Sequence, residues 1–455
     1  METSAPPSPE QTLALAAALD THRSWNAARA RAGGGEVRAC AGGLMAHVPD
    51  PTTGGGGGSI SVMFVEAPWQ RPAVVAHELL DWIAGLPPLR SVGWWTSGTE
   101  AGLDLGVILM ARGFQWGWQP HWMWLDLSRP RPAALLPAGI DLVCFPDGAE
   151  GEAAARLPPF VRVFGARREA LTRLDRPATT VLAAFDAEEV VGSITLHVSH
   201  PSAELAQRAA EPIGGVYDCW VAERVRRRGI GLALTTAAAG LAEARGCRMA
   251  VLNATAVGEL MYRRLGFRSA GWGRTWWLVE RQLRAPRPDA DMVAFVEAIG
   301  RGDVPAMEAA LAALRGREGG VDLDAALPCA ETPLGAAVRL RQPRSARRLI
   351  ELGAELDIVS AWDLGWRDTV ADLLHHRPEL ANRRVGESGP TPLQVAIERD
   401  DEGLAALVLS AHPDFGLKDP TYGGDALDWA EHFGRAHLAA LIREAQAGGS
   451  GTAQG

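Results

Sequence analysis

The chain has 455 residues and a formal net charge of −9, enough length for three domains that each bury their own core. Its acidic balance, with no basic stretch interleaved with aromatics, argues against nucleic acid as a partner, because neutralising phosphates needs clustered positive charge. No apolar run reaches the length that spans a bilayer, and Met1 to Glu10 lacks the basic start and apolar core of a secretory leader, so no membrane partner is expected.

From the N-terminus, Gly54 to Gly58 reads as a flexible hairpin tip. A strand over Ser61 to Glu66 runs into Ala67-Pro68-Trp69-Gln70-Arg71-Pro72-Ala73-Val74, a connection without glycine in which Pro72 has no N–H to offer. Next comes Gly113-Phe114-Gln115-Trp116-Gly117-Trp118, followed by Trp122. A strand over Val190 to Val198 carries His197 and leads to His200. The cysteines at 40, 144, 219, 247 and 329 show no Cys-x-x-Cys pair and no histidine spacing suited to zinc, so no metal is expected. Reduced thiols in a cytoplasmic protein are the simplest account. Abundant arginine and alanine, with Lys418 as the sole lysine, point to a GC-rich and bacterial coding source.

The most informative stretch joins the strand Gly215-Val216-Tyr217-Asp218-Cys219-Trp220-Val221 to a helical run from Leu232 to Arg245. Between them stands Ala222-Glu223-Arg224-Val225-Arg226-Arg227-Arg228-Gly229-Ile230-Gly231. A glycine turn here leaves backbone N–H groups unpaired at a helix start, where the helix dipole adds positive character. That is an anion cradle, and glycine lets a phosphate come close to the backbone. A strand over Cys247 to Asn253 follows, then Gly258-Glu259-Leu260-Met261-Tyr262-Arg263-Arg264-Leu265-Gly266-Phe267.

The spacing Arg226-x-x-Gly229-x-Gly231 resembles the acetyl-CoA pyrophosphate loop of the GNAT superfamily of N-acetyltransferases. Residues 258 to 267 are similar to that family's second signature, a short helix that carries a tyrosine and ends at Gly-Phe. The resemblance implies an α/β GNAT fold, a mixed and mostly antiparallel central sheet flanked by helices. It implies acetyl-CoA as donor, held by Val221, Arg226, Arg227, Arg228, Gly229, Ile230 and Gly231, and attacked by a neutral amine. Tyr262 then matches the tyrosine that protonates the departing thiolate; the plain alternative is a tyrosine packed against the sheet. Asn253 is a candidate for the donor's pantetheine arm, or else caps the next helix. The general base stays open among Asp218, Glu223, His197 and His200, with Asp218 singled out because a carboxylate inside an apolar strand is costly. The acceptor pocket is expected from residues 199–213 and the tryptophan-rich strand Trp272 to Trp277.

The first 128 residues repeat this pattern in degraded form. Gly113-Phe114, Gly117-Trp118 and Trp122 align with Gly266-Phe267, Gly271-Trp272 and Trp276, with a one-residue gap between copies. Leu109 then stands opposite Tyr262, so this half is read as non-catalytic. The alternative is an unrelated α/β domain with a tryptophan cluster.

From about residue 288 the period changes to paired short helices. Thr332-Pro333-Leu334-Gly335-Ala336-Ala337 and Thr391-Pro392-Leu393-Gln394-Val395-Ala396 resemble the Thr-Pro-Leu-x-x-Ala opening of ankyrin repeats, and Asp425 starts a further unit 34 residues after Thr391. Weaker units near Met292 and Trp362 bring the number to about five. Such an array stacks helix pairs into one core and usually offers a surface to a protein partner.

The expected organisation is thus a degenerate GNAT-like module (1–130), a catalytic GNAT acetyltransferase module (135–285), an all-α ankyrin-repeat solenoid (288–447) and a disordered tail (448–455). The expected activity moves an acetyl group to an amine of a small molecule or protein. The competing reading is a silent acyl-CoA-binding scaffold or sensor whose output is the ankyrin array.

Overall fold

The computed structural model describes residues 7–40, 43–50, 57–65, 72–98, 101–132, 134–145, 178–187, 189–316, 321–385, 389–420 and 423–449. The chain divides into two compact units, residues 1–109 with 116–286, and residues 110–115 with 287–455.

The first unit begins with α1 (Pro9–Ala32), β1 (Val37–Cys40), β2 (Gly43–Val48), β3 (Ser59–Met63), α2 (Pro72–Ala84), β4 (Ser91–Thr96), α3 (Ala101–Ala111), β5 (Gln115–Trp116) and β6 (His121–Asp126). It continues with β7 (Ile140–Phe145), β8 (Thr179–Asp186), β9 (Glu189–Ser199), α4 (Ala203–Ala206), β10 (Ile213–Val221), a 3₁₀ turn (Glu223–Val225), α5 (Ile230–Ala244), β11 (Met249–Ala254), α6 (Ala256–Arg264), β12 (Arg268–Trp272), β13 (Arg274–Val279) and α7 (Glu280–Arg284). Ser8 opens α1 through a reciprocal capping box with Gln11, and Ala14, Ala17, Ala18, Thr21 and Trp25 form its buried stripe at helical spacing. That stripe packs on β6, β9, β10, β11 and β12, and also on β2.

Among the described residues the strands form two mixed sheets, in the orders β1-β2-β3-β4-β13-β5 and β12-β6-β11-β10-β9-β8-β7. The two halves exchange a strand. β6, from the first half, lies between β11 and β12 of the second sheet; β13, from the second half, lies beside β4 in the first. Each exchanged strand runs antiparallel to its host strand over six residues, from His121 opposite Ala254 to Asp126 opposite Met249, and from Arg274 opposite Thr96 to Val279 opposite Ser91. The sequence suits this placement. Trp122, Met123, Trp124 and Leu125 are consecutive and all buried, the pattern of a strand covered on both faces and flanked by neighbours. The exchange therefore cuts across the module boundary expected between residues 130 and 135.

The one-residue gap in the sequence repeat has a structural cause. Between Ser269 opposite Met123 and Gly271 opposite Trp122 the register shifts, so Ala270 is an extra residue, a β-bulge in β12. Leu109 is fully buried. Gly54 to Gly56 and Glu66 to Arg71, the hairpin tip and most of the glycine-free connection, lie outside the described residues.

The second unit contains α8 (Ala290–Arg301), α9 (Val304–Arg315), α10 (Pro333–Arg339), α11 (Pro343–Glu351), α12 (Ile358–Asp363), α13 (Arg367–His376), α14 (Pro392–Arg399), α15 (Glu402–Ser410), α16 (Ala426–His432) and α17 (Ala436–Gly449). Successive helices pack as five pairs among the described residues, and α8, α10, α12, α14 and α16 each touch the next in that series. The Thr-Pro openings are helix starts. Thr332 Oγ1 accepts from the Gly335 N–H at 3.0 Å and Thr391 Oγ1 from that of Gln394 at 3.3 Å, while the proline fills a first-turn position whose N–H needs no partner. The final helix runs through Gly448 and Gly449, so the helix reaches past the start of the expected tail; the rest of that tail lies outside the described residues. No described helix is long and apolar enough to cross a membrane.

Candidate active site

The glycine turn caps α5. Gly229 adopts φ of +89°, a left-handed conformation in which a side chain is strained, and the position its Cβ would occupy is open. No side chain caps this helix. The N–H groups of residues 227 to 232 donate to nothing among the described residues, so the first turn of a fifteen-residue helix faces outward with its amides free. Gly231 has a different task. A Cβ there would lie 3.0 Å from the sulfur of Met261, so this glycine lets α6 pack against the start of α5.

The four arginines of the loop do not act alike. Arg224 pairs with Glu189 and lies 3.8 Å from Asp186, on the β8–β9 hairpin, so it is turned away from the helix start. Arg226 folds back, its Nε donating to the Val221 carbonyl at 3.2 Å and its guanidinium 3.6 Å from Glu223. Arg227 and Arg228 are exposed and have no ion-pair partner among the described residues, and Arg227 itself has φ of +62°.

Beside the turn, the sheet opens. β10 and β11 pair in parallel only from Ile213 opposite Met249 to Gly215 opposite Val251. Beyond that the facing edges of Val216 to Val221 and Leu252 to Ala254 are unregistered, which leaves backbone donors and acceptors for an extended amide-containing arm. β10 bends there because its register with β9 shifts between Tyr217 and Trp220. Asp218 occupies that bulge in a left-handed conformation, φ +51°. Burial raises its carboxyl above the ordinary range, opposed by the charge of Arg29 on α1. The bulge explains how a carboxylate enters an apolar strand: it lies where regular pairing is already broken.

Asn253 stands inside β11, opposite Trp122 of β6. It does not cap α6; Thr255 does, accepting from the Gly258 N–H at 3.2 Å. Tyr262, on α6, is buried in the core beside Phe267, with ring centroids 5.7 Å apart. The thiol of Cys219, the residue after Asp218 in the bulge, faces its hydroxyl, with Thr235 of α5 beside the same thiol. Burial first, then the facing thiol, push the phenol well above its usual range, and burial pushes the Cys219 thiol up to about 11. Tyr262 and Asp218 are thus linked through Cys219, a contact the sequence reading missed. A small residue next to a strand carboxylate was the only local signal for it.

The other base candidates fare differently. His197 is buried, its Nδ1 2.9 Å from Thr179 Oγ1 and its Nε2 2.9 Å from Ser24 Oγ, so both nitrogens are engaged. Glu223 is almost fully exposed beside Arg226, and His200 is exposed at the end of β9. The acceptor pocket expected from Trp272 to Trp277 needs correction as well. Trp276 is fully buried in the first sheet, because β13 is the exchanged strand, and Trp277 packs on Gly93 and Gly117 there. The aromatics beside the bulge come instead from α1: Trp25 stacks on Tyr217 with centroids 5.3 Å apart, and His22 lies 5.8 Å from the same ring. Among the described residues no His, Cys, Asp and Glu cluster is arranged to hold a metal ion.

Residues 151–267 match the family model described as "Acetyltransferase (GNAT) family". Similar solved structures include a GCN5-related N-acetyltransferase from Sphaerobacter thermophilus, 18% identical over 52% of this chain and 76% of that one, with a TM-score of 0.36. A GCN5-related N-acetyltransferase from Kribbella flavida is 15% identical over 57% and 95%, TM-score 0.40. A tandem GNAT protein from the clavulanic acid biosynthesis pathway is 16% identical over 52% and 79%, TM-score 0.37. No curated protein matches the sequence. The matched segment, with its mixed α/β sheet, is a GNAT acetyltransferase domain, and the chain is an acyltransferase.

Proposed function

We propose that the second half of the first unit transfers an acetyl group from acetyl-CoA to an amine. The observation that carries this is the opening between β10 and β11 directly beside an uncapped helix start, a slot that ends in an anion cradle. Acetyl-CoA supplies an activated thioester. The free amides from residue 227 to 232, with Arg227 and Arg228, hold its diphosphate, a positioning role. Val221 and Asn253 flank the slot from either strand and receive the pantetheine arm.

Tyr262 keeps its proton across the neutral range because its phenol is raised, and it is the acid for the leaving thiolate. The transfer is uphill in the buried setting, at about 1.4 kcal/mol per unit of pKa difference, so the donor's approach must displace the Cys219 contact. Asp218 is the base that takes a proton from the acceptor ammonium; its raised carboxyl is better matched to an amine than an ordinary aspartate. The first half, residues 1–130, is a silent GNAT-like partner to the catalytic residues 135–285. The five helix pairs form an ankyrin-type array that offers a protein-binding surface.

Isothermal titration with acetyl-CoA tests the slot. Gly229→Asp places a strained carboxylate in the cradle, and affinity is expected to fall about 100-fold, ~2.7 kcal/mol. Unchanged affinity removes the cradle from the reading. Thiol release with a panel of amines tests turnover, with Tyr262→Phe expected to slow it by about 10²-fold. If donor binds and no amine is acetylated, the chain is a binding scaffold instead.

A further inference from the structure

The silent half does more than close a sheet. His121, the first residue of the exchanged strand β6, is 1% exposed and stacks face to face on Trp272, with centroids 3.9 Å apart and planes at 6°. Its Nε2 shares a hydrogen bond of 2.7 Å with Ser269 Oγ on β12, and its Nδ1 lies 3.1 Å from a carboxylate oxygen of Glu259 on α6. One imidazole therefore ties two elements of the other half, β12 and α6, to the strand it came with.

Glu259 precedes Tyr262 by three residues, so the two side chains share one face of α6. That helix has nine residues, too short to hold its own conformation in water. Its N-cap, Thr255, fixes where it starts, and the apolar packing of Tyr262 and Leu265 fixes how deeply it sits. Rotation about the helix axis is what a polar tether on the same face decides. The far oxygen of Glu259 is held by Arg263 Nε at 2.7 Å, so the carboxylate has Arg263 on one side and the His121 imidazole 3.1 Å away on the other.

We propose that His121 is a positioning residue for Tyr262: the half without a catalytic tyrosine supplies the imidazole that sets the phenol of the other half against the bulge in β10. The proposal builds on acetyl transfer through Tyr262, and its test includes a readout independent of turnover. The chain has three tyrosines, at 217, 262 and 422, so 3-fluorotyrosine labelling of the full-length protein gives three fluorine resonances, assigned by Tyr→Phe variants.

In His121→Ala the Tyr262 resonance is expected to shift or broaden while that of Tyr217, packed against α1, stays in place. His121→Asn keeps an N–H at the Nδ1 position and is expected to restore the native shift; His121→Gln, which reaches Ser269 instead, is not. In turnover, His121→Ala is expected to lower kcat about tenfold with KM for acetyl-CoA changed by less than about twofold, since α5 is untouched. A Tyr262 resonance that stays native in His121→Ala overturns the proposal, and so does equal movement of Tyr217, the mark of general loosening. If His121→Ala does not fold, the comparison of His121→Asn with His121→Gln decides: equal spectra and rates overturn it. Should the native chain acetylate no amine, the fluorine result still stands, so failure of the activity and failure of the positioning role are read separately.

Discussion

Apart from the extra edge strand β7, the two sheets of the first unit follow the same strand order, and they differ at one seam. In the first half β3 and β4 stay paired in parallel from Ser59 opposite Ser91 to Met63 opposite Trp95, and the Phe64 N–H extends the seam to the Trp95 carbonyl at 2.9 Å. In the second, the equivalent pairing stops after three residues. The closed seam is filled from both sides by tryptophan: Trp94 is fully buried, and Trp277 packs so tightly on Gly93 that a Cβ there would lie 2.6 Å from its ring. A helix position that carries Tyr262 in one half carries the fully buried Leu109 in the other. In the first half the seam is closed and the matching helix position has no hydroxyl, and this half lends a strand to the other sheet.

That division of labour is broken most severely by separating the halves. Residues 131–286 expressed alone lack β6, so β11 and β12 lose the strand between them and a run of four buried side chains, Trp122 to Leu125. Each large apolar residue removed from such a core costs about 3–5 kcal/mol, against a total stability of about 5–15 kcal/mol. The fragment is expected to show no cooperative thermal transition by circular dichroism, whereas residues 1–286 melt as one unit. A folded, donor-binding fragment would show that the exchange is dispensable.

A second experiment sharpens what separates the open seam from the closed one, the carboxylate at the bulge. Asp218 has its folded pKa raised by burial. A raised group contributes full stability below its unfolded pKa, about 3.9, and loses it as pH climbs through the folded value. Asp218 therefore destabilises the neutral protein. Asp218→Asn is expected to raise stability at pH 7, with the gain vanishing in acid, and asparagine tolerates the left-handed backbone. The same substitution is expected to abolish acetyl transfer without changing acetyl-CoA affinity. A variant that is stabilised yet fully active would leave Asp218 without a role in proton transfer.

Much of this arrangement was legible in the sequence, and the parts that were not share a cause. The glycine turn, α5, β11 and the tyrosine helix follow from local signals: a left-handed glycine, an uncapped helix start, an apolar run, a Gly-Phe stop. The repeat of Gly-Phe, Gly-Trp and Trp falls at matching places in the two halves, and its one-residue gap is the bulge at Ala270. Strand exchange left no such mark. The buried run Trp122 to Leu125 says that β6 is central in a sheet and is silent about which sheet, because pairing partners are set by tertiary packing. For that reason Trp276 and Trp277 were assigned to an acceptor pocket while they sit in the other half's core, and His121 was not considered. The burial of Tyr262 against Cys219 was hidden for a related reason: the bulge turns both side chains of a two-residue step, and alternation along the strand does not foresee it.

The smallest effect separates the arginines of the turn, which look equivalent in sequence. Arg224 and its partners Glu189 and Asp186 are all substantially exposed, and exposed pairs of this kind contribute about 0–1 kcal/mol. Arg224→Ala is therefore expected to leave both the thermal midpoint and acetyl-CoA affinity essentially unchanged. Arg227→Ala and Arg228→Ala remove charge that no described carboxylate engages, beside the free amides of α5. Each is expected to weaken binding several-fold at low salt, with the difference shrinking as ionic strength approaches about 1 M, where the screening length falls to about 3 Å. Titrations at two salt concentrations measure this. If Arg224→Ala weakens the donor as much as the other two, the ion pairs on the β8–β9 hairpin give way when donor binds, and the open seam extends further round the turn than its resting geometry indicates.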